Sequence, residues 1–188
     1  MAAVLLLGCS PAWAHGGLGD GKSLWGGASH FLTSPLSLAS MVGLVAALVG
    51  IRERLSLLAA AVAGAGAGIA SALTAYAPAY VAPGAVVAVG LCAVTGRTLP
   101  NAAALLVAAI AGVGGGLAAD LDAPSLPGGI GIAGAMLFIV VCALAALHDL
   151  AGMPRLQTVL PVARRVVGSW VAAMGLLMTT LAIHLIRK

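Results

Sequence analysis

Charge is what this sequence lacks most. Of its 188 residues only 7% are charged, five acids against nine bases, whereas a soluble domain carries about 25%. So few ionic groups cannot cover a water-exposed surface. Aromatics are also scarce, at 4%, and no basic stretch interleaves with them, so a nucleic-acid surface is excluded and no nucleic-acid partner is expected. The three cysteines show no Cys-x-x-Cys spacing, which argues against a disulfide framework or a cysteine zinc site. Cys92 and Cys142 lie inside apolar runs and read as small hydrophobes. Serines such as Ser37, Ser40 and Ser71 have no histidine near them in sequence, no Gly-x-Ser-x-Gly occurs, and the glycine pairs within the apolar runs, Gly64 with Gly68 and Gly112 with Gly116, are followed by no Gly-Lys-Ser or Gly-Lys-Thr. No nucleophilic constellation is therefore present, the glycines of the apolar runs form no phosphate-binding loop, and the chain is read as no enzyme.

What the sequence has is hydrophobicity, 62% of residues with a mean hydropathy of +1.14, supplied mainly by Ala, Val and Leu alongside 26 Gly. Apolar runs occupy 36–51, 55–76, 80–96, 101–119, 129–147 and 166–186, each near the ~20 residues that span a bilayer as a helix. The predicted fold is all-α, a polytopic membrane protein with six transmembrane helices over 36–188. The first run is short; His30-Phe31-Leu32 extends it through the interface, with Pro35 in its first turn.

Residues 1–14 read as a signal peptide, with an apolar run from Ala2 to Leu7 and the small-x-small site Ala12-Trp13-Ala14. Cleavage leaves His15 first and 15–35 as an exported segment. The alternative is lipoprotein processing at Leu6-Leu7-Gly8-Cys9. An exported N-terminus places Arg52, Arg54, Arg97, Arg155, Arg164 and Arg165 inside, six of the nine bases, as the positive-inside rule requires. The expected location is a bacterial-type inner membrane with both mature termini outside. The connection 151–165, with Pro154, Pro161 and three arginines, is expected along the inner interface.

Gly64 and Gly68, and Gly112 and Gly116, each set two glycines one helical turn apart, so that a neighbouring backbone can approach closely. They read as helix packing within the chain, the alternative being a dimer interface. Ionisable residues are few enough to weigh one by one. His15, His30, Asp120, Asp122 and His184 fall on the outer side and form a candidate metal set of nitrogen and oxygen donors. An N-terminal His15 adds its α-amine as a second donor. His148 and Asp149 end the fifth run on the inner side as a candidate relay or exit ligand. Against both stands the plainer reading of interfacial polar residues, since no His-x-x-x-His spacing occurs. Met41, Met136, Met153, Met174 and Met178 offer soft sulfur, but core packing accounts for them.

A histidine-first exported tail, then His30-Phe31-Leu32-Thr33-Ser34-Pro35-Leu36-Ser37, then Ala/Gly/Leu-rich helices resembles the hydrogenase/urease accessory permease family, HupE/UreJ. Gly96-Arg97-Thr98-Leu99-Pro100 and the run Leu105 to Gly112 resemble that family's connection between its third and fourth helices and the approach to its second motif. The resemblance implies a six-helix permease taking up nickel or cobalt for metalloenzyme assembly. It also exposes departures. Ser34 stands before Pro35 where the family's first-helix motif, His-Pro-x-x-Gly-x-Asp-His, opens with His, and Ser40-Met41 stand in place of its Asp-His. The family's second motif, Phe-His-Gly-x-Ala-His-Gly-x-Glu, corresponds to Val113 to Asp122, which holds no histidine. With Gly116 in the place of that motif's first glycine, Asp122 matches its final Glu. Two functions follow as expectations: a transition-metal permease with a relocated site and nickel or cobalt as cargo, or a non-transporting scaffold or accessory subunit of a larger membrane complex. The bilayer is the expected partner, with other subunits or a second copy beside it.

Overall fold

The computed structural model describes residues 22–48, 54–74, 78–118, 125–151 and 158–186. Seven helices form there and no strand occurs among the described residues: α1 Leu24–Thr33, α2 Pro35–Leu48, α3 Arg54–Leu73, α4 Val81–Val94, α5 Asn101–Leu117, α6 Leu126–Ala151 and α7 Leu160–Ile186. The fold is all-α. Signals for the boundaries are local. Ser23 caps α1, its Oγ accepting from Gly26 N–H at 2.9 Å. Ser125 accepts from Gly128 N–H at 3.1 Å and begins α6. Gly96, at φ 64, takes the left-handed conformation that closes α4, for which a residue without Cβ is suited.

Two boundaries differ from expectation. His30-Phe31-Leu32 does not extend the first span in a straight line, because α1 and α2 meet at 75°. Pro35 restricts the residue before it to extended backbone, and Ser34 indeed sits at φ −77, ψ 114. At the other end, Leu160 to Arg165 are not part of an interfacial connection; they form the opening turns of α7, with Pro161 in the first turn, where the missing N–H costs nothing.

Helix directions follow from neighbouring backbones. α3 and α5 run parallel, Gly64 lying against Ala109 and Gly68 against Val113. α4 and α7 run antiparallel, Gly90 meeting Gly168 and Ala172 while Gly175 meets Pro83 and Val87. α2 runs antiparallel to α5, and to α7 as well, since Gly43 touches Val171 while the residues after it approach Arg164. α2 occupies the centre, packed against α1, α4, α5, α6 and α7, and its last six residues, from Gly43 to Leu48, are all buried. Phe31, Met41, Leu44, Ile132 and Met136 are the largest side chains in the core.

Among the described residues two helices are long and apolar enough to cross a membrane, α6 through its segment Leu126–Ala146 and α7, and the bent pair α1 and α2 passes the same test together. The rest are shorter. At ~1.5 Å per residue the 14 residues of α4 reach about 21 Å and the 17 of α5 about 26 Å, against a hydrocarbon core of ~30 Å.

Both predicted glycine pairs lie in one contact, between α3 and α5. A Cβ on Gly112 would meet the Ala61 carbonyl oxygen and stand 2.8 Å from Ala65 N, and one on Gly116 would stand 2.6 Å from Ala65 O. These are backbone atoms that cannot yield. The same test at Gly66 finds nothing within 4 Å. Gly112→Val should therefore cost about 2 kcal/mol or more by overpacking, whereas Gly66→Ala should be neutral or stabilising by at most about 1 kcal/mol. Thermal unfolding of the two variants in one detergent checks this; equal midpoints would contradict it.

Candidate functional site

The polar groups in the interior are few, and each traces to a particular helix contact. Ser34, Ser37 and Ser40 are spaced three residues apart, which keeps them along one side of the α2 segment. Each donates its hydroxyl to a carbonyl of α5 or the residue after it: Ser34 Oγ to Ala118 O at 2.8 Å, Ser37 Oγ to Gly115 O at 3.2 Å, and Ser40 Oγ to Ala111 O at 2.8 Å. The acceptors descend as the donors ascend, a ladder between antiparallel helices. It forms because a serine hydroxyl is short and the facing positions are alanine and glycine, so the backbones come near enough for the reach. Ser34 also accepts from Ser37 N–H at 3.3 Å and so caps α2. Ser37 and Ser40 are completely buried.

Beside the ladder lies Gly115. A Cβ there would stand 3.2 Å from Met41 Cε, 3.4 Å from Phe31 Cε2 and 3.9 Å from Met136 Sδ. Three side chains from three helices thus converge on one bare backbone position. Under the alignment that matches Asp122 to the permease motif's final acid, Gly115 occupies the first histidine position of that motif, and Met41 the last histidine position of the other. Met41 of α2 and Gly115 of α5 thus lie against one another, with the Phe31 ring and the Met136 thioether beside them.

Arg164 is the remaining interior polar side chain of note, only 7% exposed. Its Nε donates to Ala46 O at 2.8 Å, and its Nη2 donates to Ala47 O and to Arg97 O, each at 3.2 Å. The first two acceptors belong to the last described turn of α2, toward the C-terminal end where the helix dipole is negative. A guanidinium is suited to this because its fork of donors reaches several acceptors at once. Arg164 thereby ties α2, the α4–α5 connection and α7 at one end of the bundle. Arg165 lies at the same end, its Nε only 2.7 Å from where a Cβ on Gly96 would be.

The sequence-predicted residues are distributed as follows. His30 is half-buried in the last turn of α1, and its carbonyl accepts from Ser34 N–H at 3.0 Å. His184 is exposed near the end of α7. His15, Asp120 and Asp122 lie outside the described residues; His148 and Asp149 belong to the last turns of α6, their side chains outside the described part. Among the described residues no three His, Cys, Asp or Glu side chains come together as a metal group. Cys92 is half-buried, while Cys142, expected to be buried, is exposed on α6; both are free thiols. The serine ladder and Arg164 were not among the residues chosen from sequence. The three-residue serine spacing in an apolar helix was available as a signal, whereas nothing in sequence separates Arg164 from Arg165.

Compared with protein-family models, curated proteins and solved structures, the chain matches none. Its chemistry has to be argued from its own residues.

Ser37→Ala and Ser40→Ala should each cost about 0.6 kcal/mol and at most ~1.7 kcal/mol, the range for hydrogen bonds between membrane helices. Arg164→Leu should cost about 3 kcal/mol, since it removes all three bonds from a charged donor, and Arg164→Lys should recover less than half of that because an ammonium lacks the planar fork. Unfolding in mixed micelles with an increasing fraction of denaturing detergent ranks the four variants. Ser40→Ala proving costlier than Arg164→Leu would reverse the assignment.

Proposed function

We propose that this chain is a six-pass membrane protein serving as a non-transporting scaffold or accessory subunit of a larger membrane complex. One observation carries the reading. The two helices that the permease resemblance assigns to ion binding are joined to each other by the Ser34, Ser37 and Ser40 hydroxyls, and Phe31, Met41 and Met136 fill the space at Gly115. A carrier must exchange hydration of its ion for protein donors inside the membrane. Here the hydroxyls are spent on backbone carbonyls, and the surrounding side chains are packed apolar groups.

Six passes are supported by alternating directions. α3, α5 and α7 run one way; α2 runs the other, as does α4, which lies antiparallel to α7, and α6, whose Gly129 meets Ile69 near the end of α3 while its later Ile139 and Ala143 share a groove with Arg164 at the opposite end. The short helices cross by drawing on interfacial residues and by local bilayer thinning, which costs only fractions of a kcal/mol per Å. Arg97, Arg164 and Arg165 share one end, and the positive-inside rule makes that end cytoplasmic. With that orientation the start of α1 and the end of α7 are outside.

A second reading, the nickel or cobalt permease, has one observation in its favour. Ser34 bonds to Ala118, so the chain that leads on to Asp120 and Asp122 departs from α5 beside the α1–α2 bend, one turn from His30. Ion capture would then lie at that end, outside the ladder.

Metal analysis of the protein purified in mild detergent, before and after equilibration with nickel or cobalt, separates the two. The scaffold reading expects less than a tenth of an equivalent retained and a fixed set of membrane subunits at constant ratio. One equivalent of metal, lost in a folded His30→Ala, Asp122→Ala double variant, would overturn it in favour of the permease.

A further inference from the structure

α6 and α7 both pack against α2 but form no extensive contact with each other, and the gap between them leaves part of the central helix uncovered. Val42 of α2 is 49% exposed there, although its neighbours Met41 and Gly43 are buried. The result is an open groove of about 230 Å³, walled by Val42 and Val45 of α2, Ile139 and Ala143 of α6, and Leu160 and Val167 of α7, with Arg164 lining it as well. It follows α2 from Met41 to Ala46, about 8 Å at ~1.5 Å per residue. Except for Arg164 every wall is hydrocarbon or thioether. What occupies it must therefore be apolar along most of its length, and Arg164 sets a positive charge at its wall.

The charge at the groove is specific. Arg164 commits Nε and both Nη2 hydrogens to the carbonyls of Ala46, Ala47 and Arg97, which leaves the two N–H groups of Nη1 without a hydrogen bond among the described residues. Those carbonyls carry only partial charge, so the site remains cationic, and Arg97 and Arg165 stand exposed at the same end. We propose that this groove holds one acyl chain of an anionic phospholipid from the surrounding bilayer, its headgroup at the Arg97, Arg164 and Arg165 end. The inference rests on the membrane reading above and is independent of the choice between scaffold and permease. An acyl chain gains little by leaving other lipid tails for an apolar wall. Selection among lipids therefore comes from the headgroup charge, as in basic recesses between membrane helices.

The protein is reconstituted in nanodiscs of equal phosphatidylglycerol and phosphatidylcholine, released, and weighed by native mass spectrometry. One retained phosphatidylglycerol per chain is expected, favoured over phosphatidylcholine by about fivefold for each headgroup-facing arginine, roughly 1 kcal/mol apiece. Arg165→Gln should lower that preference about fivefold. Ala143→Trp, which fills the groove from the α6 side, should abolish retention with helix content unchanged. Because a tryptophan can also disturb folding, a phosphatidylglycerol with a photoactivatable acyl chain is applied to the unaltered protein; labelling should concentrate on peptides of α2 and α6. Equal retention of both lipids, labelling spread over all helices, or capture of a protein helix in the groove would each overturn the proposal. Release of the protein from membranes by alkaline washing would instead defeat the membrane reading itself. A membrane-held protein that retains no lipid defeats this inference alone.

Discussion

Close approach of one backbone to another is the constraint on which the rest of this bundle depends. In lipid, apolar side chains gain nothing by meeting each other rather than solvent, so helices associate through dispersion contacts and hydrogen bonds that require proximity. α5 provides it on several sides. Gly112 and Gly116 admit the backbone of α3, Gly114 admits Ala85 of α4, and Ala111, Gly115 and Ala118 present their carbonyls to the serines of α2. The ladder is thus a product of the small residues opposite it, since a branched side chain at Gly115 would hold α2 beyond the reach of Ser37. Packing and polar satisfaction are one arrangement, in which no described buried side-chain nitrogen or oxygen is left without a partner.

Arg164 solves a different part of the same problem. Three carbonyls from two parts of the chain converge at one end of the bundle, and one fork of donors can serve all of them. The guanidinium on α7 donates to Ala46 and Ala47 in the last described turn of α2. Arg164 sits at the N-terminal end of its own helix, where the dipole disfavours a cation. The C-terminal end of the antiparallel α2 offsets that, so the residue is explained by its neighbour and not by its own helix.

How much of this was readable beforehand follows from the range of the interactions. Helical periodicity and turn residues act over a few residues, and five of the six predicted runs begin within three residues of the helices found; the exception, α7, starts at Leu160 instead of 166 because Pro161 was taken for a break when it occupies a first turn. The bend at Ser34 was visible as Ser-Pro but was read as a continuation, since a proline at the start of a helix also permits one. Gly64, Gly68, Gly112 and Gly116 announced close packing by their spacing; that both pairs share one contact depends on helices 48 residues apart and could not be read from either. The ladder joins positions 71 to 84 apart, and Arg164 reaches back 117 and 118 residues to α2. No local pattern encodes such a partner. Membrane length was legible only in part: the six apolar runs are there, but several helices within them are short for a bilayer.

The reach of Arg164 has a consequence for how the protein is made. α2 emerges from the ribosome long before α7, and until α7 follows, Ala46 and Ala47 lack the Arg164 guanidinium. The earlier helices therefore form before the contact that joins them at this end, and α7 completes it. A ribosome stalled before residue 164 leaves a chain whose central helix has no tie through Arg164 to the α4–α5 connection or to α7.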